Sequence, residues 1–167
     1  MQASFLQVYN EHLYDLLLDP RMATKLNIRA DRNHGVHVQG ISVYPVQSTM
    51  ECLRLLQIGN EHRITRETRM NKFSSRSHSI FQLSMERKDA KSTSTISSKL
   101  NLVDLAGSEK WDMKGLMVDD HISELTNINL SLHTLGRVIE ALTSKVSYVI
   151  ISSHTRIMLA ANVTKKN

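Results

Sequence analysis

The sequence predicts an α/β domain with a mixed central β-sheet flanked by helices. Three stretches carry this expectation. Ile80, Gln82, Ser84 and Glu86 alternate with Phe81, Leu83 and Met85, the period of two that a strand requires. Leu100 to Leu105 (LNLVDL) is mostly apolar, as expected of a buried central strand. Apolar residues at Ile122, Leu125, Ile128, Leu132, Leu135, Ile139 and Leu142 form one stripe of a long amphipathic helix, with Gly136 inside it. Strands and helices intermix along the chain, and 167 residues suffice for one domain with a core.

The remaining elements follow in order. Ser4 to Tyr9 (SFLQVY) is β-prone and bounded by Asn10, so a strand is expected. Glu11 to Leu18 reads as a short helical turn closed by Asp19-Pro20. Leu26-Asn27-Ile28 is a short extended piece. Val36, Val38, Ile41 and Val43 suggest strand segments around Gly40, ended by Pro45. Ser48-Thr49-Met50-Glu51 is a capping box, and the apolar spacing that follows predicts a helix ending near Arg63. Thr65 to Phe73 reads as a polar loop. Asp89 to Ser98 is a polar connection short enough that its flanking strands should pair antiparallel. Gly107 to Asp120 has no usable period.

Composition narrows the function classes. Hydrophobic residues make up 41% and charged residues 22%, a balance typical of soluble globular chains. A single cysteine, Cys52, excludes an intrachain disulfide and argues against a zinc cluster. No apolar run approaches the roughly 18 residues of a membrane span. The N-terminal stretch lacks the basic and apolar regions of a signal peptide. A formal charge of +5 suggests an acidic partner surface: nucleic acid, an anionic membrane or an acidic protein.

Two stretches carry chemistry. In LNLVDLAGSE, an apolar strand ends in Asp104 with Gly107 three residues on. Ligands of open α/β sheets sit beyond the carboxyl ends of strands. An acid there can hold Mg²⁺ through water, and a glycine lets a backbone N–H approach a phosphate. Asp also ends strands simply because it favours turns. In NKFSSRSH, Asn71 to His78, serine hydroxyls can ligate Mg²⁺ and orient a water, and Arg76 can pair with a carboxylate and latch two loops. The plain alternative is a serine-rich surface loop. His34 and His37 have no third ligand in view and read as a solvated turn. His78 reads as polar packing rather than an acid–base group. The scattered methionines read as packing, and the sequons at Asn129 and Asn162 as irrelevant in a cytosolic chain.

Taken together, these motifs resemble the kinesin motor domain over about residues 3–143. SFLQVYNEHLYDLL is similar to the family's strand and following "YNE..YDLL". Asn71, Ser74, Ser75, Arg76, Ser77 and His78 match its switch I signature. DLAGSE, Asp104 to Glu109, matches its switch II signature, and NINLSLHTLGRVIEAL, Asn127 to Leu142, is similar to its long relay helix. The resemblance implies a P-loop NTPase-like motor fold that hydrolyses ATP with Mg²⁺ and moves along microtubules. It implies that Ser74 and Ser75 hold Mg²⁺ and the attacking water, with Asn71 lining the nucleotide site. It implies that Asp104 reaches Mg²⁺ through water and that Gly107 donates its N–H to the γ-phosphate. Arg76 and Glu109 would form the salt bridge that closes the switches. Asn127, Asn129, Leu130 and Arg137 would face the microtubule, where tubulin's acidic surface accounts for the basic balance. Nucleic acid and membrane insertion are not expected, and the location would be cytoplasmic, on the microtubule cytoskeleton.

The chain also departs from the family. It contains no G-x-x-x-x-G-K-[ST]; the nearest spacing, Gly35 to Ser42, places Ile41 where the lysine would stand. The expectation is therefore a partial motor domain, residues 1–167, whose P-loop half lies upstream. Leu130 replaces the relay-helix lysine. Trp111 and Met113 stand where the family is small and polar, and Tyr148 to Asn167 keeps little of the family's basic segment. The alternative is a non-catalytic kinesin-like module that binds a microtubule or another partner, from a truncated or decayed gene.

Overall fold

The computed structural model describes residues 1–31, 35–70, 77–88, 95–107, 130–137, 139, 140 and 143. The elements in order are β1 (Gln2–Tyr9), β2 (His12–Asp15), β3 (Lys25–Asp31), β4 (Gly35–Gln39), β5 (Tyr44–Pro45), α1 (Thr49–Met70), β6 (His78–Lys88) and β7 (Thr95–Asp104). A further helical segment occupies residues 130–137. The strands form one curled sheet in the order β4-β3-β2-β1-β6-β7, with β5 also paired to β1. Every pairing among the described residues is antiparallel.

The region expected to be a helical turn is instead the second arm of a hairpin. β1 turns into β2 through Asn10 and Glu11, both with positive φ (45° and 62°), and Tyr9 pairs with His12. Two successive left-handed residues give the turn whose twist matches paired strands, and Asn tolerates that conformation better than most residues. Asp15 then anchors the return of the chain. Its buried carboxylate accepts from the Leu17 amide at 2.8 Å and the Ser42 amide at 2.6 Å.

The capping box forms largely as expected. The Glu51 amide donates to Ser48 Oγ, and the Glu51 carboxylate accepts from the Gln47 amide, one residue before the cap. α1 does not stop near Arg63, however. It runs to Met70, through much of the predicted polar loop. No Gly or Pro interrupts residues 61–70, and Thr65 satisfies its hydroxyl by donating to the Glu61 carbonyl. Polar character alone does not end a helix.

α1 lays Cys52, Leu55 and Leu56 against a core of Ala3, Phe5, Leu16, Leu17, Val46 and Phe81. Gly59 extends this face one turn further. A Cβ there would lie 2.2 Å from Phe5 Cδ1, so only glycine lets the helix sit this close to β1. Phe5 and Phe81, opposed across β1 and β6, meet edge to face with centroids 5.4 Å apart.

The expected burial of the Leu100–Leu105 strand is not observed. β7 runs longer, from Thr95, and is exposed along its whole length. It is the last strand of the sheet, paired only to β6 among the described residues, whereas the cluster that α1 packs against is built on β1, β6 and the segments after β2 and β5. An apolar strand signals that something covers it, but not what.

Candidate functional site

The antiparallel register of β6 and β7 sets Ser79 opposite Asp104. It thereby brings the end of SSRSH, Ser77 and His78, to the turn that begins DLAG. Two side chains fasten this junction. From α1, the Arg63 guanidinium donates to Asp104 Oδ2 at 2.5 Å, to Ser79 Oγ at 3.1 Å and to the Ser77 carbonyl at 3.4 Å. Arg63 is 15% exposed and Asp104 65%, so the pair reaches from a sheltered helix face to an open strand end.

The second fastener is His78. The Ala106 amide donates to its Nδ1 at 2.9 Å, and its Nε2 lies 2.8 Å from Ser131 Oγ on the 130–137 helix. Burial pushes the imidazole below its ordinary pKa; the Arg63 charge adds to this, and Asp104 opposes it. The ring is therefore held neutral, and an amide donor at Nδ1 leaves its single proton on Nε2, facing Ser131.

Arg66, the next turn of α1, is buried with its guanidinium 4.3 Å over the Tyr14 ring. Burial lowers the Arg66 pKa and raises that of Tyr14. His62 Nδ1 contacts the Leu16 carbonyl at 2.8 Å, which makes that nitrogen the donor. From His62 to Arg66, α1 is thus tied to the sheet by polar side chains.

Of the residues expected to act on nucleotide, Asp104 closes β7 and Gly107 follows half-buried. Asn71, Ser74, Ser75, Arg76 and Glu109 lie outside the described residues, as do Asn127 and Asn129. Leu130 and Arg137 are exposed on one helical segment. The Gly35–Gly40 spacing lies on β4 and its following turn, paired with β3, not on a phosphate-binding loop. Sequence reasoning missed Arg63 and Ser131. A signal for Arg63 was present: Cys52, Leu56, Gly59, Arg63 and Arg66 share one helical face, and a cation on a packing face calls for a partner.

Among the described residues, no group of three or more His, Cys, Asp or Glu side chains could hold a metal ion. An exposed carboxylate with one oxygen engaged by Arg63 fits a contact to a water on a metal, not a metal site by itself.

Comparison with known proteins places this geometry. The chain overlays a solved fast kinesin with a TM-score of 0.79 at 34% identity, covering 94% of this chain and 44% of that one. It overlays a KIF14 dimer, solved with AMP-PNP in complex with a microtubule, with a TM-score of 0.74 at 36% identity, covering 90% and 44%. The fold is the P-loop NTPase-like α/β fold of kinesin motor domains. The Kinesin motor domain family model matches residues 1–158, and Kinesin-related protein 7 of Dictyostelium discoideum is 42% identical over 149 residues, 89% of this chain and 12% of that protein. The chain belongs to the kinesin motor domain family. It spans under half of the solved motor chains and about an eighth of that curated relative.

Proposed function

We propose that this chain is the switch-bearing part of a microtubule motor, and that the whole protein couples ATP hydrolysis to movement along microtubules. The observation that carries the reading is the junction at Ser79 and Asp104, where the end of SSRSH and the start of DLAG meet at one end of the sheet. Bound Mg-ATP would supply the phosphoryl group and its charge neutralisation. Asp104 would hold a Mg²⁺-bound water, with Arg63 fixing its other oxygen. Ser74 and Ser75 would hold the ion and the attacking water, beside Asn71. The Gly107 amide would meet the γ-phosphate, and Arg76 with Glu109 would latch the loops. Asn127, Asn129, Leu130 and Arg137 would face tubulin, placing the protein on the microtubule cytoskeleton of the cytoplasm. No helix among the described residues is long and apolar enough to cross a membrane.

A second reading, a non-catalytic kinesin-like binding module, is favoured by one observation. The sequence holds no G-x-x-x-x-G-K-[ST] stretch to cradle the β- and γ-phosphates. Calorimetric titration with Mg-ATP separates the two. The chain alone should show no binding at micromolar nucleotide. A chimera joining it to the P-loop half of the solved fast kinesin should bind stoichiometrically. A chimera that folds but stays silent would favour the binding module.

A further inference from the structure

We propose that His78 is a positioning residue that ties the turn after β7 to the 130–137 helix through one neutral, tautomer-fixed imidazole. Donors and acceptors fix the tautomer. A backbone N–H can only donate, so the contact from Ala106 requires a lone pair on Nδ1. A ring with a lone pair on Nδ1 carries its proton on Nε2, which then donates to Ser131 Oγ. Reversing the tautomer would set two protons against each other at Ala106 and leave a buried amide without its acceptor. Adding a second proton would do the same.

The surroundings support this state. His78 is 6% exposed, and the cation that reaches this junction from α1 is Arg63, held by Asp104 across the strand pair. Arg63 fixes the junction at Asp104 and His78 fixes it two residues later. The turn between them therefore cannot shift without breaking a bond or carrying Ser131 along. A contiguous bonded path of this kind is how displacement at one element biases another. That the path links a nucleotide switch to a track-facing helix rests on the motor reading above; the bridge itself does not. It can be measured without nucleotide or microtubule, so its failure would be distinct from a failure of that reading.

Two substitutions separate the ends of the bridge. Asn places its Oδ1 two bonds from Cβ, as Nδ1 is, and can accept from Ala106 but cannot reach Ser131. Gln places its Nε2 three bonds from Cβ, as the ring's Nε2 is, and can reach Ser131 but not serve Ala106. Amide hydrogen exchange of the chain is followed by NMR, together with the His78 ring nitrogens. The wild type should show a protected Ala106 amide and a neutral ring protonated at Nε2. His78→Asn and Ser131→Ala should each leave Ala106 near its wild-type rate. His78→Gln should speed it about tenfold, the loss of roughly one hydrogen bond, with the β1–β6 amides unchanged as the control for folding. An Ala106 amide that exchanges at the unfolded rate in the wild type overturns the proposal. So does a ring protonated at Nδ1, or equal exchange in the Asn and Gln variants.

Discussion

Replacing Gly59 by alanine should destabilise the fold, although alanine is the better helix former. A Cβ at residue 59 would lie 2.2 Å from Phe5 Cδ1, 2.6 Å from Cε1 and 3.3 Å from Cγ. Carbon atoms in contact sit at about 3.5–4.0 Å, so helix and ring would have to part by more than about 1 Å. The ring cannot swing aside, because Phe5 is 3% exposed and its neighbour across the strand pair is the edge-packed Phe81. Overpacking of this kind costs about 1–3 kcal/mol, and this overlap falls at the upper end. The gain from Gly to Ala in a helix interior is about 1 kcal/mol. The balance is a loss of about 2 kcal/mol. Gly136 supplies the opposite case, since nothing lies within 4 Å of its added Cβ. Gly136→Ala should therefore gain up to about 1 kcal/mol. Urea denaturation measures both. Adding Phe5→Leu to Gly59→Ala should recover part of the loss, a coupling expected only of touching residues. A Gly59→Ala chain as stable as the wild type would refute the close approach of α1 to β1.

Three other outcomes are expected. Asp15→Asn should cost about 1–3 kcal/mol by urea denaturation, because one of the two amides held by the buried carboxylate would face an NH₂ group. His78 has a folded pKa below its unfolded value of about 6.5, so its contribution to stability is full above that pH and declines as pH falls through it; the urea midpoint should drop on acidification, and drop less in His78→Asn. Leu130→Lys, in the chimera with a P-loop half, should tighten salt-sensitive co-sedimentation with microtubules, since exposed charge steers association and is screened by salt.

What the sequence made legible follows from how local each cause is. The alternation of β6, the Ser48 cap and the antiparallel pairing of β6 with β7 depend on near neighbours, and all were read correctly. The β1–β2 hairpin was missed because Asn10-Glu11 lacks the glycine that usually marks such a turn. The end of α1 was misplaced because, past Gly59, its contacts to the sheet come from His62, Arg63 and Arg66, whose partners lie far off in sequence. The exposure of β7 depends on which segments cover it, which no single strand encodes. At the site, Asp104 and Gly107 were legible as types at a spacing. The roles of Arg63 and Ser131 required the register that brings residues 77–79 to 104–106.

Whether these residues work as motor switches is tested most directly by phosphate release from the chimera of this chain and a P-loop half, with and without microtubules. Release should rise on adding microtubules and be abolished by Arg76→Ala and by Glu109→Ala, while Mg-ATP still binds. Release that is unaffected by microtubules, or near-normal turnover in both variants, would contradict it.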